Sequence, residues 1–316
     1  MDKKMKAAYY DVFGGTENIK VGQLPLPEVK EGEVLVRVKA AGVNPVDAVV
    51  MAGYLEGMLP VEFPAIPGWD VAGVVEDRGF SARRFNVGDE VYAYARRPTV
   101  QGGTFAEYIV LPESYLAQKP KNLSFAEAAG IPLVGLTAYQ SMFDKGQLQA
   151  GQNVLILGAS GGIGTLGIQL AKEKGATVIG VASQKNHAFM LKLGADHVVD
   201  YNGQDVGEAV KNLFPDGVDL IFDAASGDTL QQSLKALKTG GTLVSILHQG
   251  QGLPQNINFH YVFVEPNARQ LEELRELAEA GKLTVHVSET YSLDHAAKAL
   301  DQIASHHTKG KIVVVP

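Results

Sequence analysis

Residues 153–183, NVLILGASGGIGTLGIQLAKEKGATVIGVAS, carry the strongest chemical signal in the chain. An apolar run ends in a glycine turn, a stretch of helical period follows, and a second apolar run closes the segment within ~30 residues. Strand, glycine turn, helix and strand in that order form the unit that holds a dinucleotide. Ser160, Gly161, Gly162, Ile163 and Gly164 make up the turn. Gly161 and Gly162 let the backbone approach a pyrophosphate, and Gly164 and Gly167 let the helix pack closely on the sheet. The helix start then offers free N–H groups and a positive dipole to the anion. Set against the pattern GxGxxG, Gly161 and Gly164 take the second and third glycine places, and Ala159 stands at the first.

The end of the second strand selects between dinucleotides. NAD-selective sites hold an Asp or Glu there, which binds the ribose hydroxyls and would repel a 2′-phosphate. Here the strand runs out as Val181-Ala182-Ser183-Gln184-Lys185, with no acid. Ser183 and Lys185 attract a phosphate, so the residues predict NADPH.

Other chemistries are narrowed by what is missing. The chain has no cysteine, which excludes disulfides, thiolate metal sites, iron–sulfur clusters and cysteine nucleophiles. None of the histidines shows the HExxH spacing of a helical zinc site, so no metal is expected. His306 and His307 read as turn or solvent-facing residues, and His248, after a strand, is a candidate pocket residue. The formal net charge of -7 and the lack of a basic block argue against nucleic acid as a partner. No apolar run approaches ~20 residues, so no membrane span is expected, and the N-terminus lacks the apolar core of a signal peptide. A cytoplasmic location is the expectation.

A chain of 316 residues exceeds what one core usually serves, which predicts two domains. The first part reads as β. In EVLVRVKAAGV, Val34, Val36 and Val38 fall on one face and Leu35, Arg37 and Lys39 on the other. DVAGVVED, DEVYAYA and TFAEYIVLP follow as short strands, the pattern of a small barrel or sandwich. At LSFAEAAG the character changes: Ser124 and Glu127 form a capping-box pattern, Pro132 interrupts, and LVGLTAYQSMF reads as helix. From Gly151 on, the runs NVLILGA, TVIGVAS, HVVDY, VDLIFDA and TLVSIL mostly alternate with helices, as in a parallel sheet covered on both faces. ARQLEELRELAEAGK is an amphipathic helix, and the closing KIVVV is expected to return to the first domain. NINFHYVFV, over 256–264, predicts an edge strand and through it a homodimer.

The turn ASGGIG with Gln169 and Ala171 resembles the zinc-independent medium-chain dehydrogenase/reductases, the quinone oxidoreductase and zeta-crystallin group. AAGVNPVDAVVMAGY, PGWDVAGVV, GGTFAEY, LSFAEAAGIPLVGLTAYQ, LGADHVVDY, LEELRELAEAGKL and KGKIVVV fall in the order of that family along nearly the whole chain. The resemblance implies an α/β fold in which a Rossmann domain, 126–265, is inserted into a GroES-like β-barrel domain, 1–125 plus 266–316. It implies NADPH in the cleft between them, with Thr137, Leu247 and Phe263 near the nicotinamide end. Lys185 and Tyr201 would meet the adenosine phosphate, and Lys309 matches a basic position near the cofactor phosphates. Zinc-dependent relatives carry Cys where this chain has Asn44, and His-Glu where it has Trp69-Asp70. An Arg common in the quinone reductases is replaced by Met51.

The resemblance also implies the chemistry: hydride delivery from NADPH to a quinone or related conjugated carbonyl. Negative charge then develops on the substrate oxygen, and Asn44 and Tyr54 are the candidate donors to it. Asp47 reads as a scaffold for that loop rather than a base. The alternatives are an alkenal or enone double-bond reductase and a non-catalytic NADPH-binding protein.

Overall fold

The computed structural model describes residues 3–225, 227–305 and 308–316, so the expectation for His306 and His307 lies outside the described residues. The chain divides into two compact units. One comprises Met1–Leu133, Glu265–Gly281 and Val285–Pro316, and the other Val134–Val264 and Lys282–Thr284.

The first unit is built on a seven-stranded sheet. Its strands run in the order Val287–Ser292, Lys311–Val315, Glu33–Val43, Asp70–Arg78, Glu90–Tyr94 and Leu116–Gln118, with Tyr108–Pro112 also paired to Glu33–Val43. The closing strand does return here: Ile312 pairs with Val43 and Val314 with Ala41, antiparallel. Val34, Val36 and Val38 enter one core with Val71, Val91, Leu111 and Ile312. Leu35, on the other face, is buried as well, whereas Arg37 stays in solvent and pairs with Glu76 at 3.2 Å. Ser124 caps the helix Phe125–Ala129 as the sequence predicts, with both halves of the capping box formed to Glu127.

Pro132 separates two helices, as the sequence suggests, and itself opens the second. Pro132–Tyr139 is α-helical, and the backbone widens to a π-helix over Gln140–Lys145. Proline suits a first helical position because its missing N–H would be unpaired there in any case.

The second unit is a six-stranded, wholly parallel sheet. The order is His197–Val199, Thr177–Val181, Asn153–Leu157, Val218–Asp223, Leu237–Ser245 and Asn258–Tyr261. The chain starts in the middle, winds outward one way and then the other, which is the Rossmann arrangement. Leu155, Leu157, Ile179, Val181, Ile221 and Leu243 fill one of its faces. Residues 282–284 join this unit through Gln169 on the helix Gly162–Glu173. Its Nε2 donates to Thr284 O at 3.0 Å, and its Oε1 accepts from Thr284 N at 2.8 Å and Oγ1 at 2.9 Å.

Candidate active site

The glycine turn follows the first parallel strand. Gly158 has φ +74°, a conformation that costs an L residue and not glycine. The tight turn therefore belongs to Gly158, and the gap at Ala159 in the sequence pattern is filled one residue earlier. A Cβ on Gly164 would overlap Ala159 Cα and Gly158 O, so glycine is required there for the helix to close on the turn. Gly167 is not held so strictly, since a Cβ would meet its nearest neighbour, Ile156 Cδ1, at an ordinary 3.6 Å.

Gly161 differs from both. It is the N-cap of the helix Gly162–Glu173, is extended, and no side chain caps the helix end. A Cβ there would meet only Gly158 O, at 3.5 Å. Nothing inside the protein demands glycine at 161, whereas a group lying on the turn from outside would. Ser160, Gly162 and Ile163 complete this cradle and are all partly exposed. The turn fits the phosphates of a dinucleotide on these grounds.

Beside it, Ser183 and Lys185 follow the strand Thr177–Val181. Lys185 is exposed and makes no ion pair among the described residues. Asn186, which the sequence reading passed over, donates from Nδ2 to Ser160 Oγ at 3.0 Å and to Ser183 Oγ at 3.4 Å. Turn and strand end are thereby brought together. Tyr201 is 48% exposed. Its neighbour Asp200 accepts from Asn202 N at 2.9 Å, and that bond holds its carboxyl below the ordinary range.

Further along the carboxyl edge of the sheet, Asp223 and Ser245 are fully buried. Ser245 Oγ donates to Asp223 Oδ2 at 2.6 Å and accepts from Leu247 N at 3.1 Å and His248 N at 2.8 Å. This relay fixes the loop that presents Leu247, which is 54% exposed. His248 is occupied in the loop itself: Nδ1 accepts from Gly250 N at 2.9 Å, and the ring stands edge-on to Phe259. Phe263 is half-buried and Thr137 is buried in the helix Pro132–Tyr139.

The first unit holds a second polar group, wholly interior. Lys311 Nζ donates to Asn44 Oδ1 at 2.5 Å and to Val43 O at 3.0 Å, and stands 3.6 Å from Asp70 Oδ2. Asp70 accepts from Asn44 Nδ2 at 2.8 Å and from Leu133 N at 2.7 Å. Asp47 Oδ2 accepts from Asn44 N at 2.8 Å, the scaffold role the sequence suggests, while its buried Oδ1 has no hydrogen-bond partner. Burial pushes the Asp47 carboxyl up to about 7. Burial also raises Asp70 and lowers Lys311, and their mutual attraction opposes both shifts.

These contacts correct the expectation for Asn44. It is 0% exposed, and its amide binds Asp70 and Lys311 instead of facing a substrate. The residue type at this position pointed to a donor; only the fold shows where the donor points. Tyr54 is the opposite case, 81% exposed, with no hydrogen bond from its hydroxyl among the described residues. Met51 is in the core and Trp69 is buried edge-on to Tyr94, so neither has a free polar role. Lys309 sits near His286, whose pKa is lowered by burial first and by the Lys309 charge second.

No group of three or more His, Asp or Glu side chains among the described residues is placed to hold a metal ion. Among them, too, no helix is long and apolar enough to cross a membrane.

The chain matches two family models, an alcohol dehydrogenase GroES-like domain over residues 30–121 and a zinc-binding dehydrogenase domain over residues 193–314. It is 35% identical to the NADPH-dependent alkenal/one oxidoreductase, chloroplastic, of Arabidopsis thaliana, over 99% of this chain and 80% of that protein. It is 30% identical to the chloroplast envelope quinone oxidoreductase homolog of the same plant, over 99% of each. Among solved structures, the quinone oxidoreductase from Coxiella burnetii superposes with a TM-score of 0.90 at 32% identity, over 99% of this chain and 100% of that one. With its two-part fold, its glycine turn and these full-length relatives, the chain belongs to the medium-chain dehydrogenase/reductase superfamily.

Proposed function

We propose that the protein is an NADPH-dependent reductase of conjugated carbonyls, quinones first among them. The observation that carries the reading is that Asn186 joins Ser160 of the glycine turn to Ser183, with the exposed Lys185 two residues on and no acid among residues 181–185. Bound there, NADPH supplies a hydride, two electrons and one nucleus, and the electron-poor substrate completes its reduction with a proton from water. The chain's own part is to hold the cofactor phosphates on Gly161–Gly164 and to set the loops after Ser245. It also offers a hydrogen bond from Tyr54 to the substrate oxygen as charge develops there.

The acceptor is the open variable within this reading. The relative at 35% identity is described as acting on alkenals and enones, which favours a second form of the same chemistry, hydride addition to a carbon–carbon double bond conjugated to a carbonyl. A panel of quinones and enones, followed by loss of NADPH absorbance, ranks the two. Consumption with neither class, while NADPH still binds, would mark a cofactor-binding protein without this activity.

The reading includes a cytoplasmic homodimer joined through the exposed edge of the parallel sheet. Among the described residues Asn258–Tyr261 pairs only with Leu237–Ser245, which leaves its other side for a second chain. Light scattering at micromolar concentration tests the dimer, and cell fractionation tests the location.

A further inference from the structure

Asn186 stands at the N-cap of the helix His187–Lys192. An asparagine at an N-cap ordinarily turns its side-chain oxygen onto an N–H of the first turn. Asn186 makes no such bond. Its carboxamide is turned instead toward the glycine turn, where Nδ2 donates to Ser160 Oγ at 3.0 Å and, more weakly, to Ser183 Oγ at 3.4 Å. One side chain thus links two loops that leave adjacent strands of the parallel sheet.

The direction of these bonds matters. A hydroxyl that accepts from a neighbour has one proton left, and that proton points away from the donor it has accepted from. Neither serine hydroxyl donates to any acceptor among the described residues. Two O–H groups are therefore left without an acceptor among the described residues, beside the exposed Lys185. The group that satisfies all three is an acceptor-only anion with several oxygens, a phosphate monoester.

We propose that Asn186 is the positioning residue for cofactor choice. By occupying the acceptor side of Ser160 and Ser183, it commits both hydroxyls as donors to the 2′-phosphate of the adenosine ribose. The inference rests on the NADPH reading above. It differs from a general role in stiffening the turn, because the effect is confined to the 2′-phosphate. Replacing the amide by a carboxylate reverses the bonds: both serine protons turn inward to the new acceptor, and a negative charge faces the phosphate.

The test is calorimetric titration of the full chain with 2′,5′-ADP and with 5′-AMP, which differ only by the 2′-phosphate. The wild type is expected to prefer 2′,5′-ADP. Asn186→Ala should lose roughly tenfold in 2′,5′-ADP affinity and keep its affinity for AMP, about what one or two misdirected hydrogen bonds cost. Asn186→Asp should lose more and approach equal affinity for the two. Equal loss for both fragments in Asn186→Ala would show a structural role and overturn the proposal. So would a wild-type preference retained in the isosteric Asn186→Asp, which decides the matter even if the alanine variant does not fold. A wild type that binds both fragments equally would instead sink the NADPH reading, and this inference with it.

Discussion

Lys311 and Asp70 form an enclosed pair, with the ammonium 3.6 Å from Oδ2 and the side chains 4% and 0% exposed. Two buried charges are tolerated because hydrogen bonds reach both. Val43 O and Asn44 Oδ1 surround the ammonium, and Asn44 Nδ2 and Leu133 N support the carboxylate. Removing one member strands the other, so Lys311→Met should cost about 3–5 kcal/mol of stability. Urea denaturation measures it, and a loss below about 1 kcal/mol would mean that Asp70 is neutral in the folded protein.

Asp47 gives this cluster a pH signature. Burial raises its pKa from 3.8 to about 7, so between those values the folded chain holds a proton that the unfolded chain has released. The stabilisation linked to that proton is complete below the unfolded value and is lost as pH rises through about 7. Asp47→Asn has no such proton to lose. Across pH 4 to 8, the melting temperature of Asp47→Asn should gain on that of the wild type as pH rises. A gap that widens the other way would place the proton elsewhere.

The two glycines at the start of the phosphate helix should separate binding from folding. A Cβ at 161 meets only Gly158 O, at 3.5 Å, so Gly161→Val should keep the melting temperature while NADPH binding is lost. Gly164→Ala drives a methyl group into Ala159 and should destabilise the unit by about 1–3 kcal/mol, as overpacking does. Thermal melts paired with NADPH fluorescence titration read both. Normal NADPH binding in Gly161→Val would mean that the cradle is misassigned.

Cofactor choice should follow Lys185. With no acid in residues 181–185 and an exposed ammonium at 185, NADPH should exceed NADH by about 1–3 kcal/mol in kcat/KM. Lys185→Ala should remove much of that margin by weakening NADPH alone. Equal efficiency with the two cofactors in the wild type counts against the site.

Tyr54 should matter moderately. A quinone draws hydride without an obligatory acid, so Tyr54→Phe should cost roughly 1–3 kcal/mol of transition-state stabilisation. Steady-state kinetics at saturating NADPH check this. A fall of about four orders of magnitude in kcat with cofactor binding intact would indicate an essential proton donor, on the scale of losing a triad member.

Much of this protein was legible in its residues because the signals are local. The apolar runs at Val154–Leu157 and Val178–Val181, the glycines between them and the capping box at Ser124 each depend on neighbours a few positions away. The missing acid after Val181 is likewise a local fact. Other features needed distant parts of the chain. Gly158 takes the turn because of its backbone angle, which a pattern of letters does not fix. Asn44 was a donor by type, but its direction depends on Asp70 and on Lys311, far along the chain, which pairing between Ile312 and Val43 brings beside it. Asn186 meets Ser160 only because adjacent parallel strands carry their loops to the same edge. Sequence set the elements and the chemical types of the site. Tertiary structure decided which polar groups are used up inside and which are left to bind, because hydrogen-bond partners are assigned by proximity in space.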